Sequence, residues 1–326
     1  MLIDQHHRIH DYLRISLTDN CNLRCFYCMP NEDYHFMPHQ QLMQPDEILK
    51  IAKTFVDLGV KKIRLTGGEP LVRKDAAEII QSLGTLGVDL SITTNGTRVE
   101  LFLDQLQAAG IKSINISLDT LQREKFQLIT GRDLFHKVHD NIAALMQRGF
   151  KIKLNVVVVK GLNEQEILEF VSLTKDQPIT VRFIEFMPFD GNKWNSDKLV
   201  TWQEMLQQIE NKHLLTPIVT SVNDTSKYYA VDGHQGNLAF ITTMSAPFCS
   251  TCNRIRLTAD GKIKNCLFSE SESDLLGTLR SGGDLTQLIR GAIWDKHAAL
   301  GGQFSKEFEK IDANSLHNRS MIAIGG

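Results

Sequence analysis

The chain has 326 residues, with 36 Lys and Arg against 38 Asp and Glu, a formal charge of −2. A charge so near zero gives no global attraction to nucleic acid or to an anionic membrane, so any anion site must be local. Against a typical domain of about 150 residues, the length allows one large domain or a domain with an extension. The first twenty residues carry no continuous apolar stretch of the secretory kind, and apolar runs such as Val156 to Val159 fall far short of a membrane span. These features predict a cytoplasmic protein with neither nucleic-acid nor membrane partners.

The predicted elements alternate. A helix opens at Pro45, with Ile48, Ile51, Ala52 and Phe55 at helical spacing and Gly59 as its stop signal. A β-rich run follows at Lys62 to Thr66, and others come at Asp89 to Thr93, Ser113 to Leu118, Lys151 to Val159 and Thr180 to Phe186. Amphipathic segments separate them at Ala76 to Leu86, Glu100 to Ala109, Phe135 to Arg148 and Glu164 to Lys175. Strand and helix in such alternation predict a parallel α/β sheet or barrel. Past Gly191 the rhythm changes: a helix at Trp202 to Ile209, then close strand-like runs at Leu238 to Thr242, Arg254 to Thr258 and Lys262 to Phe268, with a hairpin tip at Ala259 to Gly261. This part predicts a C-terminal extension packed on the α/β unit, ending in two helical stretches and a flexible Gly325-Gly326 tail.

All six cysteines fall into two triads: Cys21, Cys25 and Cys28 in a C-x3-C-x2-C spacing, and Cys249, Cys252 and Cys266 in a C-x2-C-x13-C spacing. Isolated free cysteines commonly serve as small buried hydrophobes, but the first triad lies on no periodic apolar face. A structural zinc site wants four ligands, and no adjacent histidine completes either triad, although His10 and His35 flank the first. Three thiolates suit a 4Fe-4S cluster with one iron left open, since such a cluster is normally held by four.

The segment Asp11 to Pro30 (DYLRISLTDNCNLRCFYCMP), with Tyr27 before the third cysteine, resembles the cluster loop of radical S-adenosylmethionine enzymes. Leu65 to Pro70 (LTGGEP) is similar to their loop for the methionine amino group, with Gly67 and Gly68 permitting close backbone approach and Glu69 adding charge. Thr93 to Gly96 and Ser117 to Asp119 follow at carboxyl ends of predicted strands, where α/β folds place ligand contacts. Further along, Arg182 to Pro188 (RFIEFMP), Phe248 to Gly261 (FCSTCNRIRLTADG), Cys266 to Phe268 and the final Ile324 to Gly326 resemble the GTP 3',8-cyclase family of molybdenum-cofactor synthesis.

That resemblance implies an incomplete (β/α)6 TIM-type barrel over 1–230 and a C-terminal α+β extension over 231–326 carrying a second 4Fe-4S cluster. It implies that Cys21, Cys25 and Cys28 hold a first cluster whose open iron chelates S-adenosylmethionine, with Tyr27, Gly68, Ser117 and Met187 around that cofactor. It further implies that Cys249, Cys252 and Cys266 hold a cluster presented to guanine, and that Arg14, Arg64, Thr93, Lys153, Arg254, Ile255 and Arg256 contact GTP. Arg254 and Arg256, two apart on one strand, share a face. In the family the tail enters the active site, which gives Gly325 and Gly326, with Arg254 and Arg256, a catalytic role. The implied reaction takes the ribose 3' hydrogen with a 5'-deoxyadenosyl radical and closes the sugar onto guanine C8, giving (8S)-3',8-cyclo-7,8-dihydroguanosine 5'-triphosphate for a downstream pyranopterin synthase. An electron donor and a homodimer are implied as well. Two alternatives stay open on the sequence: a radical enzyme that modifies a peptide, disfavoured by Arg254, Arg256 and the Gly-Gly end, and a non-catalytic iron-sulfur sensor, disfavoured by the Gly67 to Pro70 loop.

Overall fold

A computed structural model describes residues 1–30, 33–304 and 307–325. The chain begins with β1 (Tyr12–Ser16), then α1 (Pro45–Asp57), β2 (Lys62–Thr66), α2 (Ala76–Gly84), β3 (Asp89–Thr94), α3 (Leu103–Ala108), β4 (Ser113–Ser117), α4 (Arg123–Thr130), α5 (Phe135–Gln147), β5 (Lys151–Val158), α6 (Ile167–Asp176) and β6 (Thr180–Glu185). There follow α7 (Trp202–Glu210), β7 (Leu215–Ile218), β8 (Ser226–Val231), β9 (Asn237–Ile241), β10 (Arg254–Leu257), β11 (Lys262–Lys264), β12 (Ser273–Asp274), α8 (Leu275–Arg280) and α9 (Leu285–Trp294).

Local chemistry explains the elements. α1 starts where Pro45 needs no N–H partner and Gln44 with Glu47 forms a capping box; Ile48, Ile51, Ala52 and Phe55 then go into the core. β5 alternates, burying Ile152, Leu154, Val156 and Val158 and turning Lys153 and Asn155 to its opposite face.

One twelve-stranded sheet results, in the order β12-β11-β10-β1-β2-β3-β4-β5-β6-β9-β8-β7. The strands β1 to β6 run parallel in chain order, as the partial barrel requires. The extension is not a layer laid on that unit. Its β10 pairs parallel with β1 and its β9 pairs parallel with β6, so it fills both flanks of the same sheet. Unpaired edge groups of β1 and β6 supply the reason, since each would otherwise leave a row of unsatisfied N–H and C=O groups. The division after residue 230 falls within β8, and no break in the sheet occurs there.

Two further differences matter for function. The strand expected over Lys262 to Phe268 stops at Lys264, whose buried ammonium turns in to the Ser269 carbonyl, and the chain leaves the sheet to deliver Cys266. The tail expected to be flexible is packed: Ile324 and Gly325 are buried. Gly326 lies outside the described residues.

The main core joins the sheet to its helices. A second cluster of Phe186, Phe189, Trp194, Met244, Phe268, Leu300 and Ile324 includes Tyr27, Met187, Cys249 and Cys266 at its margin. No helix among the described residues is long and apolar enough to cross a membrane.

Candidate active site

Loops after the parallel strands converge on the first triad. The cysteine loop follows β1, and Asn95, after β3, directs its Nδ2 at the Cys21 sulfur at 3.7 Å, beside the Leu23 N–H at 3.4 Å. Glu69, after β2, is fully buried and accepts from the Leu71 N–H, the Thr94 hydroxyl and the Asn95 N–H. Its charge is therefore spent on ordering the β2 and β3 loops rather than offered freely. Burial outweighs these donors and pushes the Glu69 carboxyl up to about 7. Asp119, after β4, is pushed up to about 6 by burial and accepts from the Tyr27 hydroxyl at 2.6 Å. Burial, aided by Glu69, pushes Cys21 up to about 11, and burial with repulsion from Cys21 and Asp119 pushes Cys28 to about 12.

Gly68 is dictated by the protein itself: a Cβ there would stand 2.5 Å from the Asn20 carbonyl oxygen. Its N–H donates to the Thr18 carbonyl at 2.6 Å, riveting the β2 loop to the cysteine loop. Ser117 ends β4 half-buried and Tyr27 is tied to Asp119; neither lines the large cavity at the second triad.

That cavity is lined by Cys249, Cys252 and Cys266 together with Arg14, Arg64, Arg182, Arg254 and Arg256, with Thr93 and Met187 also in its wall. A second chamber of about 640 Å³ shares Arg14, Arg64, Arg182 and Ile241 with it and adds Tyr12, Lys62, Lys153 and Tyr228. The two are parts of one recess enclosed by the sheet. Arg256 donates to the Gly325 carbonyl at 2.6 Å, and Gly325 packs so closely on Ser16 and Thr66 that a Cβ would lie 2.7 Å from the Ser16 Cβ. The tail thus sits between the ends of β1 and β2. Ile255 is the exception among the expected nucleotide contacts: its side chain is fully buried in the main core on the opposite face of β10, and it lines neither chamber.

Residues that the sequence reading missed also line the recess. Tyr12, Lys62 and Arg182 could have been found from strand alternation, since Tyr12 precedes Arg14 and Lys62 precedes Arg64 by two. The Tyr12 hydroxyl is buried without a partner, and the opposition of burial and the cations Arg64, Arg14, Lys62 and Arg254 leaves it at about 8. Arg14 and Arg182 each bury an Nε without a partner. Buried donors left unpaired beside a cavity point to acceptors from a ligand.

All six cysteines are free and half-buried. Among the described residues no three His, Cys, Asp or Glu side chains close around a single metal ion. The thiols form two looser triads, within each of which the sulfurs act on one another. The second triad also has donors aimed at sulfur: the Leu300 N–H at 3.4 Å from Cys249 and the Lys296 ammonium at 3.7 Å from Cys252. Burial opposes ionisation of Cys252, but Lys296 and Arg254 outweigh it and hold that thiol at about 6. Donors directed at three sulfurs fit thiolates bound to an iron-sulfur group in each triad.

Comparison with known proteins bears on this geometry. The Radical SAM superfamily model matches residues 15–174, and the Molybdenum Cofactor Synthesis C model matches 179–301. The mitochondrial GTP 3',8-cyclase of Arabidopsis thaliana is 47% identical over all of this chain and 84% of its own length. The GTP 3',8-cyclase of Thermodesulfovibrio yellowstonii is 43% identical, with 99% of both chains covered. The chain belongs to the GTP 3',8-cyclase family. It spans 51% of the human molybdenum cofactor biosynthesis protein 1, to which it is 46% identical. Family membership brings the radical S-adenosylmethionine superfamily's cofactor and its 4Fe-4S cluster. In fold, the chain is similar to Streptococcus suis SuiB bound to S-adenosylmethionine, with a TM-score of 0.61 at 16% identity over 89% of this chain and 68% of that one.

Proposed function

We propose that this chain converts GTP to (8S)-3',8-cyclo-7,8-dihydroguanosine 5'-triphosphate, the opening step of molybdenum-cofactor synthesis. The observation that carries the reading is the recess itself: a cysteine triad at one end, an array of arginines through its middle and two lysines at the other, within a protein of formal charge −2. A nucleoside triphosphate has that polarity, with a base to set against the triad and a triphosphate to meet Lys62, Arg64, Lys153 and Arg182.

Cys21, Cys25 and Cys28 would hold the first 4Fe-4S cluster and Cys249, Cys252 and Cys266 a second. With S-adenosylmethionine bound at the first, these groups would supply the one-electron chemistry needed at the ribose 3' C–H bond. Everything else is done by the chain's own residues. Gly68, Ser117, Tyr27 and Met187 border the S-adenosylmethionine site, and Asp119 fixes Tyr27. Arg14, Arg64, Thr93, Lys153, Arg254 and Arg256 hold the nucleotide. Arg256 also keeps Gly325 against Ser16 and Thr66, at the carboxyl ends of β1 and β2. The same reading has an electron donor, a cytoplasmic setting supported by six free thiols, a product passed to a pyranopterin synthase, and a homodimer for which the exposed edge strand β7 offers a pairing surface. The peptide-modifying alternative finds no support in a recess whose polar end is cationic.

Anaerobic reconstitution with dithionite, S-adenosylmethionine and GTP tests this directly. Formation of 5'-deoxyadenosine should rise with GTP and match its consumption. Equal 5'-deoxyadenosine with and without GTP, with no nucleotide lost, would refute the substrate assignment.

A further inference from the structure

The second triad rests on a buried scaffold that the nucleotide chemistry does not use. Lys296, just past α9, is 2% exposed; its ammonium donates to the Arg254 carbonyl at 2.9 Å and lies 3.7 Å from the Cys252 sulfur. No ion pair with a carboxylate involves Lys296 among the described residues; the charged groups that act on it are Cys252, Cys266, Arg8 and Arg254. Burying an ammonium without a counter-ion is costly, so its position demands negative charge from the sulfurs.

The N-terminal segment holds it there. Gln5 donates to the Lys296 carbonyl, and Arg8 to the His297 carbonyl at 2.7 Å and the Ala298 carbonyl at 2.8 Å, so three consecutive carbonyls are gripped. Arg8 also donates to the Cys249 carbonyl at 2.8 Å and is itself fixed by Asp4 at 2.6 Å, which His10 meets at 2.9 Å. The same corner supplies the Leu300 N–H to Cys249.

We infer that Lys296, clamped by Gln5 and Arg8, is the built-in counter-cation of the second triad, retaining the iron-sulfur group there and raising its reduction potential. The inference rests on the reading of Cys249, Cys252 and Cys266 as cluster ligands. Charge and hydrogen bonding at the sulfurs are among the main determinants of such a potential. Lys296 is a positioning residue: it touches a ligand sulfur and lines neither chamber of the recess.

The test uses reconstituted holoenzyme and three substitutions. Lys296→Met removes the charge, Lys296→Gln removes it while keeping a donor for the Arg254 carbonyl, and Lys296→Arg keeps it. Redox titration followed by electron paramagnetic resonance should show the second-cluster signal moved to lower potential in Lys296→Met and Lys296→Gln alike. Both should lose iron to a chelator several-fold faster, and Lys296→Arg should stay near wild type. The first-cluster signal should not move. Wild-type behaviour in Lys296→Gln would overturn the inference by showing that the hydrogen bond suffices, as would an unchanged potential and iron loss in every variant. If Lys296→Met does not fold, the Gln and Arg pair carries the same contrast. Wild type holding a single cluster would defeat the underlying two-cluster reading instead, a result separate from any shift among variants.

Discussion

The two cysteine triads share a ligand count and differ in the charge around them. Buried carboxylates flank the first: Glu69 acts on Cys21, and Asp119 on Cys25 and Cys28. Cations flank the second: Lys296 and Arg254 act on Cys252, and Arg8 on Cys249. Negative surroundings make an added electron costly and so favour a strongly reducing group; positive surroundings favour retained charge and an anionic substrate. On the proposed function these are the needs of the two sites, cleavage of a sulfonium at one and positioning of a nucleotide at the other.

The largest effect that would break this contrast is steric. Gly68→Ala drives a Cβ into the Asn20 backbone at 2.5 Å, which should cost about 3 kcal/mol and empty the first triad while leaving the second; thermal unfolding and iron content check it. The two regions should next answer pH with opposite sign. Glu69 titrates at about 7 folded against an ordinary 4.5, so its contribution is full below 4.5 and lost as pH rises through 7. His10, beside the second triad, is depressed by burial and by Lys296 to about 4 from 6.5, so its contribution is full above 6.5 and lost as pH falls through 4. Each amounts to roughly 3 kcal/mol at about 1.4 kcal/mol per unit. Urea unfolding of the cluster-free chain across pH 4 to 8 should lose its fall between about pH 4.5 and 7 in Glu69→Gln and its rise between about pH 4 and 6.5 in His10→Gln.

At the ends of β1 and β2, Gly325 sits at φ +85° with Ser16 at its back. Gly325→Ala should therefore displace the tail at a strain of about 1–2 kcal/mol, lowering turnover several-fold with both clusters retained. The smallest effect is expected at Tyr12. Its partnerless hydroxyl lies among cations of the far chamber, so Tyr12→Phe should change stability by less than about 0.5 kcal/mol while raising KM for GTP a few-fold.

Much of this site was legible because it is local in sequence. The cysteine spacings, the Gly67 to Pro70 loop and the apolar middles of β2 to β6 announce themselves within a few residues. β7 escaped notice because Thr216, Pro217 and Ile218 are exposed at the sheet edge and carry no buried stripe. Ile255 was placed with its arginine neighbours, yet the alternation that unites Arg254 and Arg256 turns it to the other face. Lys296 and Arg8 could not be read at all: Arg8 meets Cys249 across 241 positions and Lys296 meets Cys252 across 44, with no local pattern to mark either.

The central claim, two triads with two tasks, is tested most directly by iron and product analysis of Cys25→Ala and Cys266→Ala, reconstituted side by side. Each should retain about half of the wild-type iron, as one four-iron cluster of two would leave. Cys25→Ala should form no 5'-deoxyadenosine; Cys266→Ala should still form it, uncoupled from GTP loss. A Cys266→Ala protein with full iron and normal GTP consumption would contradict the account.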